Sequence, residues 1–176
     1  VGSGGGADLP GSHSLGVDPR ASSRVALGLS IGGAWLTEDD GETWEPRSKG
    51  MRAEYVPPEE AGDPDSQDPH CLVQCPGQPS HWWVQHHNGI FRSTDDLASW
   101  TEIKDVKPSV FGSDAPPQYH AYDIVFRHGL ALDATGRRLA FGSTTGSVWV
   151  SEDQGDVWQT VSAHLPPVYA VRFLRD

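Results

Sequence analysis

The sequence has little of what most folds are built from. Helix signals are almost absent, and 20 glycines and 14 prolines interrupt the 176 residues. No apolar run approaches the roughly 20 residues that a membrane-spanning helix needs, so no membrane partner is expected. Basic residues are scarce: 13 Lys and Arg stand against 24 Asp and Glu, giving a formal net charge of −11. Phosphate binding relies on Lys and Arg to release counterions, so this balance excludes nucleic acid as the expected partner. The opening VGSGGGADLPG lacks a basic region followed by an apolar stretch and, as it stands, is not read as a signal peptide.

Cysteine is nearly missing too. Cys71 and Cys75 share the stretch HCLVQCP, which reads as a strand. Four residues of strand separate their backbones by roughly 13 Å, well beyond the ~7 Å that a disulfide tolerates. Free thiols are therefore expected, and with them a reducing, cytoplasmic setting. Their CxxxC spacing is not that of a metal finger. The remaining composition, 36% hydrophobic and 21% charged, is that of a globular chain.

What the sequence does contain is a repeat. TEDDGETW (37–44), STDDLASW (93–100) and SEDQGDVW (151–158) share a hydroxyl residue, Asp at the third position and Trp at the eighth. Their starts are offset by 93 − 37 = 56 and 151 − 93 = 58 residues. A near-constant period of this length signals a repeat architecture. Around each copy, short runs rich in Val, Ile, Trp and Phe follow the same order, bounded by Gly, Pro and Asn. In the second unit these are HCLVQCP, HWWVQHH, GIFRST and SWTEIK, with the hairpin dipeptide Asn88-Gly89 between the middle two. The first unit gives HSLGVDP, RVALGLS, GAWLT and TWEPRS. The third gives AYDIVFRHGLALD, RRLAFGST, GSVWVS and VWQTVSA.

Four antiparallel strands per unit predict an all-β protein made of β-propeller blades, about three in this chain. The expected layout is a flexible Gly-rich N-terminus (1–12), blade one (13–49), a long acidic rim loop (50–69) and blade two (70–105). A connection (106–119), blade three (120–165) and a closing strand (166–176) complete it. Each eight-residue motif falls on the turn between third and fourth strands. There the carboxylates of Asp39, Asp95 and Asp153 can bond the turn's own N–H groups, and Trp44, Trp100 and Trp158 can pack between sheets. These six residues are read as structural.

The three motifs resemble the Asp-box, or bacterial neuraminidase repeat, of sialidases and sortilin-type receptors. Together with QDPHCLVQCP, VQHHNGIFRSTD, HAYDIVFRH, LAFGSTTGSVWVSED and VSAHLPPVYAVRF, they resemble bacterial exo-sialidase-like or glycosyl-hydrolase-like propellers of unassigned activity. That resemblance implies a carbohydrate-directed function and further blades. Two departures stand out. Leu97 occupies the place where the motif usually has Gly, which puts the second turn's geometry in question. Relatives of this kind are about twice as long, so either the chain is a shortened or incompletely represented form, or a homodimer completes the ring.

Histidine supplies the candidate chemistry. His13, His70 and His120 are each placed at the opening of an innermost strand, so they are expected to meet at one axial rim. Three imidazoles with an open position suit a divalent Zn, Cu or Fe ion, and the alternative is a structural role in the repeat. His86, His87 and His164 fall on connections expected at the same rim, as do Arg52 and Tyr55 of the long loop, and these five are ligand-binding candidates. Glu54, Asp68 and Asp123 are the carboxylates offered for hydrolysis. A sialidase reading needs three convergent arginines, and Arg52, Arg92 and Arg127 occupy non-equivalent positions. The expected function is therefore binding of a small polar or carbohydrate ligand at a His-rich rim. A metal-dependent hydrolase and a non-enzymatic interaction scaffold are the alternatives.

Overall fold

Period-two runs of β-branched and aromatic residues cannot bury both faces alone, and here they pair into three stacked sheets. The computed structural model describes residues 11–103, 129–143 and 145–174. Sheet one consists of β1 (Ser12–Val17), β2 (Val25–Leu29), β3 (Gly33–Thr37) and β4 (Glu45–Pro46). Sheet two consists of β5 (Pro69–Gln74), β6 (Trp82–His86), β7 (Gly89–Ser93) and β8 (Thr101–Glu102). Sheet three consists of β9 (Leu130–Leu132), β10 (Leu139–Gly142), β11 (Val148–Ser151) and β12 (Gln159–Ser162). Each is a four-stranded antiparallel meander in sequence order. Among the described residues no α-helix occurs, and so no helix long and apolar enough to cross a membrane.

The register makes the sheets equivalent residue by residue. Leu27 pairs with Trp35, Val84 with Phe91 and Phe141 with Trp149 across the second and third strands. Their first-strand partners are Leu15, Leu72 and Leu130. Both of the first two sheets carry a bulge at the start of their inner strand, between Ser12 and Ser14 and between Pro69 and Cys71. A bulge re-aims the side chain beside it, and here those side chains are His13 and His70.

Alternation along β6 sends neighbouring residues to opposite faces. Leu72, Trp82, Val84 and Phe91 pack with Ala26, Ala34 and Leu36 in a core between sheets one and two. Trp83 and Ile90 pack with Leu130, Leu139, Phe141 and Trp149 in a second core between sheets two and three. Burying each of these large side chains contributes on the order of 2–3 kcal/mol. On sheet one's opposite face Leu15 and Val17 are 65% and 54% exposed, and Val25, Leu27 and Trp35 are half-buried.

The three acidic turns share one bonding plan. Asp39 Oδ1 accepts from the backbone N–H of Thr43 at 2.9 Å, Asp95 Oδ1 from Ser99 at 2.9 Å, and Asp153 Oδ1 from Val157 at 2.8 Å. The hydroxyls of Thr37, Ser93 and Ser151 donate to the same carboxylates and accept from the N–H groups of Gly41, Leu97 and Gly155. Leu97 takes φ +70°, the left-handed conformation that Gly41 and Gly155 adopt at +92° and +95°. The turn expected to deviate thus has the common geometry. Its Leu side chain is 1% exposed in the first core, and that burial offsets the backbone strain of about 1–2 kcal/mol.

The tryptophans that close the turns differ. Trp100 is buried, its indole N–H donating to Arg47 O of sheet one at 2.7 Å. Trp44 is 37% exposed, with its indole on Gly41 O of its own turn. Trp158, with sheet two before it, is partly buried in the second core yet bonds Gly155 O of its own turn, so a preceding sheet sets how far the ring is covered and not where its N–H points.

Residues 50–69 are less open than a solvated loop. Met51, Ala53, Ala61 and Gln67 are buried, and a 3-10 turn spans Pro64–Ser66. Gln67 anchors the segment by donating to the carbonyls of Ala61 and Asp63. The expected connection at 106–119 lies outside the described residues.

Candidate functional site at the inner rim

The loop ends by delivering Asp68 between the openings of β1 and β5. Asp68 Oδ2 lies 3.1 Å from His70 Nε2 and 3.5 Å from His87 Nδ1. One ligand atom from each of His13, Asp68 and His70 lies within 4.8 Å of the others. The His13 and His70 rings stand 5.6 Å apart, centre to centre, and His87 meets His70 edge-on at 5.8 Å. Two blades and one loop thus supply three imidazoles and a carboxylate to one spot.

The backbone explains why they converge. The N–H of Asp68 donates to His86 Nε2 at 3.0 Å, and the N–H of His87 donates to Asp68 O at 3.0 Å. The loop is therefore stitched to the β6–β7 hairpin on both sides of Asp68. Glu54 N–H donates to Asn88 Oδ1 at 3.0 Å, tying the loop's start to the same hairpin. His86 is 1% exposed and its ring stays inside, against Phe91 at 5.4 Å. Burial lowers its pKa to about 3, so it is a neutral acceptor that holds the loop.

Electrostatics at Asp68 favour the anion. Burial opposes ionisation, yet the hydrogen bonds and positive character of His70 and His87 beside Oδ2 hold the carboxyl well below the usual carboxylate range. Its second oxygen, Oδ1, is buried without a hydrogen-bond partner. A carboxylate has acceptor capacity at both oxygens, so this one is open to a cation or donor. Behind His70, Gln85 Nε2 lies 3.2 Å from Nδ1, which fixes the ring's orientation. Gln85 is 5% exposed, and its own Oε1 is unpartnered.

The other candidates divide by place. Tyr55 borders the cluster, its ring edge-on to His87 at 4.9 Å, while its hydroxyl donates to Ser66 O. Burial, with Asp68 nearby, pushes the Tyr55 phenol above its ordinary value. Glu54 reaches the rim through its backbone only, with the side chain exposed. Arg52 lines a separate open cleft of about 550 Å³ with Lys49, Met51, Gly62 and Pro64. His164 is exposed on the connection after β12, its N–H donating to Ser162 Oγ.

His120 and Asp123 lie outside the described residues. Leu130 of β9 is the register equivalent of Leu15 and Leu72, and in the sequence a histidine stands two residues before each of them. The sequence shows this as His-x-Leu at 13, 70 and 128, a signal the longer AYDIVFRHGLALD run obscured. Gln85 was also missed, because nothing in HWWVQHH distinguishes an inward glutamine.

No family model matches the chain, and no curated protein matches it. Solved structures do. YCF48 from Cyanidioschyzon merolae aligns with 88% of this chain at 22% identity and a TM-score of 0.57. The GH74 xyloglucanase from Xanthomonas campestris aligns with 89% at 20% identity and a TM-score of 0.58. The Swd1 β-propeller domain of Myceliophteria thermophila aligns with 80% at 11% identity and a TM-score of 0.50. The chain spans 40%, 24% and 38% of these structures respectively. Three four-stranded antiparallel sheets with such neighbours make this an all-β protein with the fold of part of a β-propeller.

Proposed function

We propose that this chain is a ligand-binding propeller unit whose inner rim holds a divalent transition-metal ion and presents it to a small polar ligand such as a carbohydrate. The observation that carries the reading is the constellation of His13, Asp68 and His70, with Asp68 Oδ1 unpartnered. Two imidazoles and one carboxylate suit Zn²⁺, Fe²⁺ or Cu²⁺ and leave coordination positions open. Donors in a tetrahedral zinc site lie about 3.4 Å apart for bonds of about 2.1 Å. A gap of at most 4.8 Å therefore needs only a modest contraction. Rotation of the Gln85 amide would turn Oε1 toward His70 Nδ1–H and so support Nε2 as a metal ligand.

His87 and Tyr55 flank the open side and would meet the ligand. One structural neighbour is a GH74 xyloglucanase, and another is a YCF48 structure bound to D1 peptide. Propeller frames of this kind thus include both glycan-directed and peptide-bound proteins, and the compact imidazole rim favours the small polar ligand. The repeated acidic turns support the finer Asp-box, sialidase-like kinship. Free Cys71 and Cys75 fit a reducing compartment. Burial pushes the Cys71 thiol up to about 11, which keeps it unreactive.

Calorimetric titration of tag-free protein with ZnCl₂, CuCl₂ and ferrous salt tests the site. One ion per chain is expected, with His70→Ala and His13→Ala each binding at least about 100-fold more weakly. Wild-type protein that takes up no stoichiometric metal and shows no thermal shift would sink the reading.

A further inference from the structure

The interface between sheets one and two has a charged latch at its outer edge. Arg24 Nη1 lies 2.6 Å from Asp18 Oδ2 and 2.9 Å from Asp96 Oδ1, and Arg20 reaches the same two carboxylates. Arg24 stands immediately before β2, and Asp96 occupies the acidic turn of the next sheet. Asp18 is almost fully buried, and the Arg20 guanidinium holds its carboxyl far below the usual range.

Residue equivalence places both halves of this latch again at the two ends of the stack, unjoined. Arg138 stands immediately before β10 as Arg24 stands before β2, and Asp133 takes the part of Asp18, 3.0 Å from Arg138 Nε. The Arg138 side chain is 55% exposed, against 12% for Arg24. At the other end, Asp40 occupies the turn position of Asp96. Both have left-handed backbone, φ +60° and +62°. Both donate their N–H to the turn joining the first two strands, at Ser23 O and Ser80 O. Asp40 is exposed.

The apolar surfaces match in the same way. The face of sheet one that bears Leu15, Val17, Val25, Leu27 and Trp35 is the equivalent of the face of sheet two, with Leu72, Trp82, Val84 and Phe91, that is buried against sheet one. On sheet three the outward glycine Gly142 matches Gly28. A Cβ on Gly28 would meet Leu72, and one on Gly142 would meet Val168 of the C-terminal segment. That segment also crosses Gly146 at Leu165 O, so it holds the place where an incoming first strand would lie.

We infer that the outer face of sheet three receives sheet one of a second copy of this chain, joined by an Arg138–Asp40 pair that repeats the Arg24–Asp96 latch. The contact is head-to-tail, so two copies with two such contacts close into a ring of six blades. The segment around Val168 competes for the same place and moves aside as the second copy docks, which makes the association concentration-dependent rather than obligate.

Sedimentation of the full chain over a range of concentrations tests this. A species of twice 19.1 kDa should appear as concentration rises. Asp40→Asn, which tolerates the left-handed backbone, and Arg138→Glu should each weaken association roughly tenfold or more. The exchanged pair Asp40→Lys with Arg138→Glu in one chain should restore it. Both substituted positions are on the surface, and unchanged circular dichroism confirms that each variant folds. A chain that stays monomeric at every concentration, or dimers indifferent to both single substitutions, would overturn the inference. Metal titration of the same samples reads the inner rim separately, so either proposal can fail without the other.

Discussion

Aspartate is used in two ways in this molecule, and the difference separates folding from chemistry. At the outer edge, Asp39, Asp95 and Asp153 take their main hydrogen bonds from residues no more than four positions away. They are satisfied within their own turns. At the inner rim, Asp68 meets His70, His87 and the vicinity of His13, drawn from a loop, two hairpins and two sheets. One of its oxygens remains unpartnered in a half-buried setting. A locally saturated carboxylate builds a corner. A carboxylate assembled by tertiary structure, with capacity left over, is where a ligand gains most.

The widest separation between the two kinds of aspartate should come from metal-induced stabilisation. An ion supplied at about 100 times its dissociation constant adds about 2.7 kcal/mol, or roughly 5–10 °C in melting temperature for a chain of this size. Asp68→Asn should abolish that shift, whereas Asp153→Asn should keep it at a lower starting temperature. Equal shifts in the two variants would erase the distinction drawn above.

Next in size is the role of Leu97 in making the middle turn unlike its neighbours. Leu97→Ala should cost about 2–3 kcal/mol in urea denaturation, since it hollows the first core. Leu97→Gly should cost no more than the Ala variant, because glycine relieves the left-handed strain as it removes packing. A glycine variant clearly worse than alanine would mean that the backbone there is unstrained.

The smallest effect is on acid stability. Hydrogen bonds from Thr43 and Thr37 lower the Asp39 pKa to about 2, below the ordinary 3.8. The group's folded value is depressed, so its contribution is complete above about pH 4 and disappears as pH falls through about 2. Between pH 5 and pH 2, the urea midpoint of wild type should fall slightly further than that of Asp39→Asn. Parallel curves would remove the titrating turn from the account.

Much of the frame was legible because its signals are local. The runs VALGL, GAWLT, WWVQH and GIFRS became β2, β3, β6 and β7 almost at the predicted bounds, and the hairpin turn fell one residue early, at His87-Asn88, with Gly89 opening β7. Leu97 misled because a motif tabulates what a turn prefers, while a buried side chain can outweigh that preference. The site was legible in part. His13 and His70 came together because equivalent bulges in equivalent strands must point alike. Asp68 was visible as a carboxylate but not as their partner, since only the pinning of its loop to His86 and His87 brings it there. His86 looked like part of the rim from its position next to His87, yet its ring is buried against Phe91 and accepts the backbone N–H of Asp68, so it holds the loop rather than facing a ligand.

The adjacent Trp82 and Trp83 carry a consequence for how the molecule comes apart. One indole is keyed into the first core and the other into the second, so the middle sheet is a wedge shared by both neighbours. Stacked repeats often melt piecemeal, each unit leaning only on the next. Here the unit with the largest inserts sits in the centre, and loosening it strips cover from both flanking sheets at once. The three blades should therefore lose their order together, as one cooperative body rather than as beads on a string.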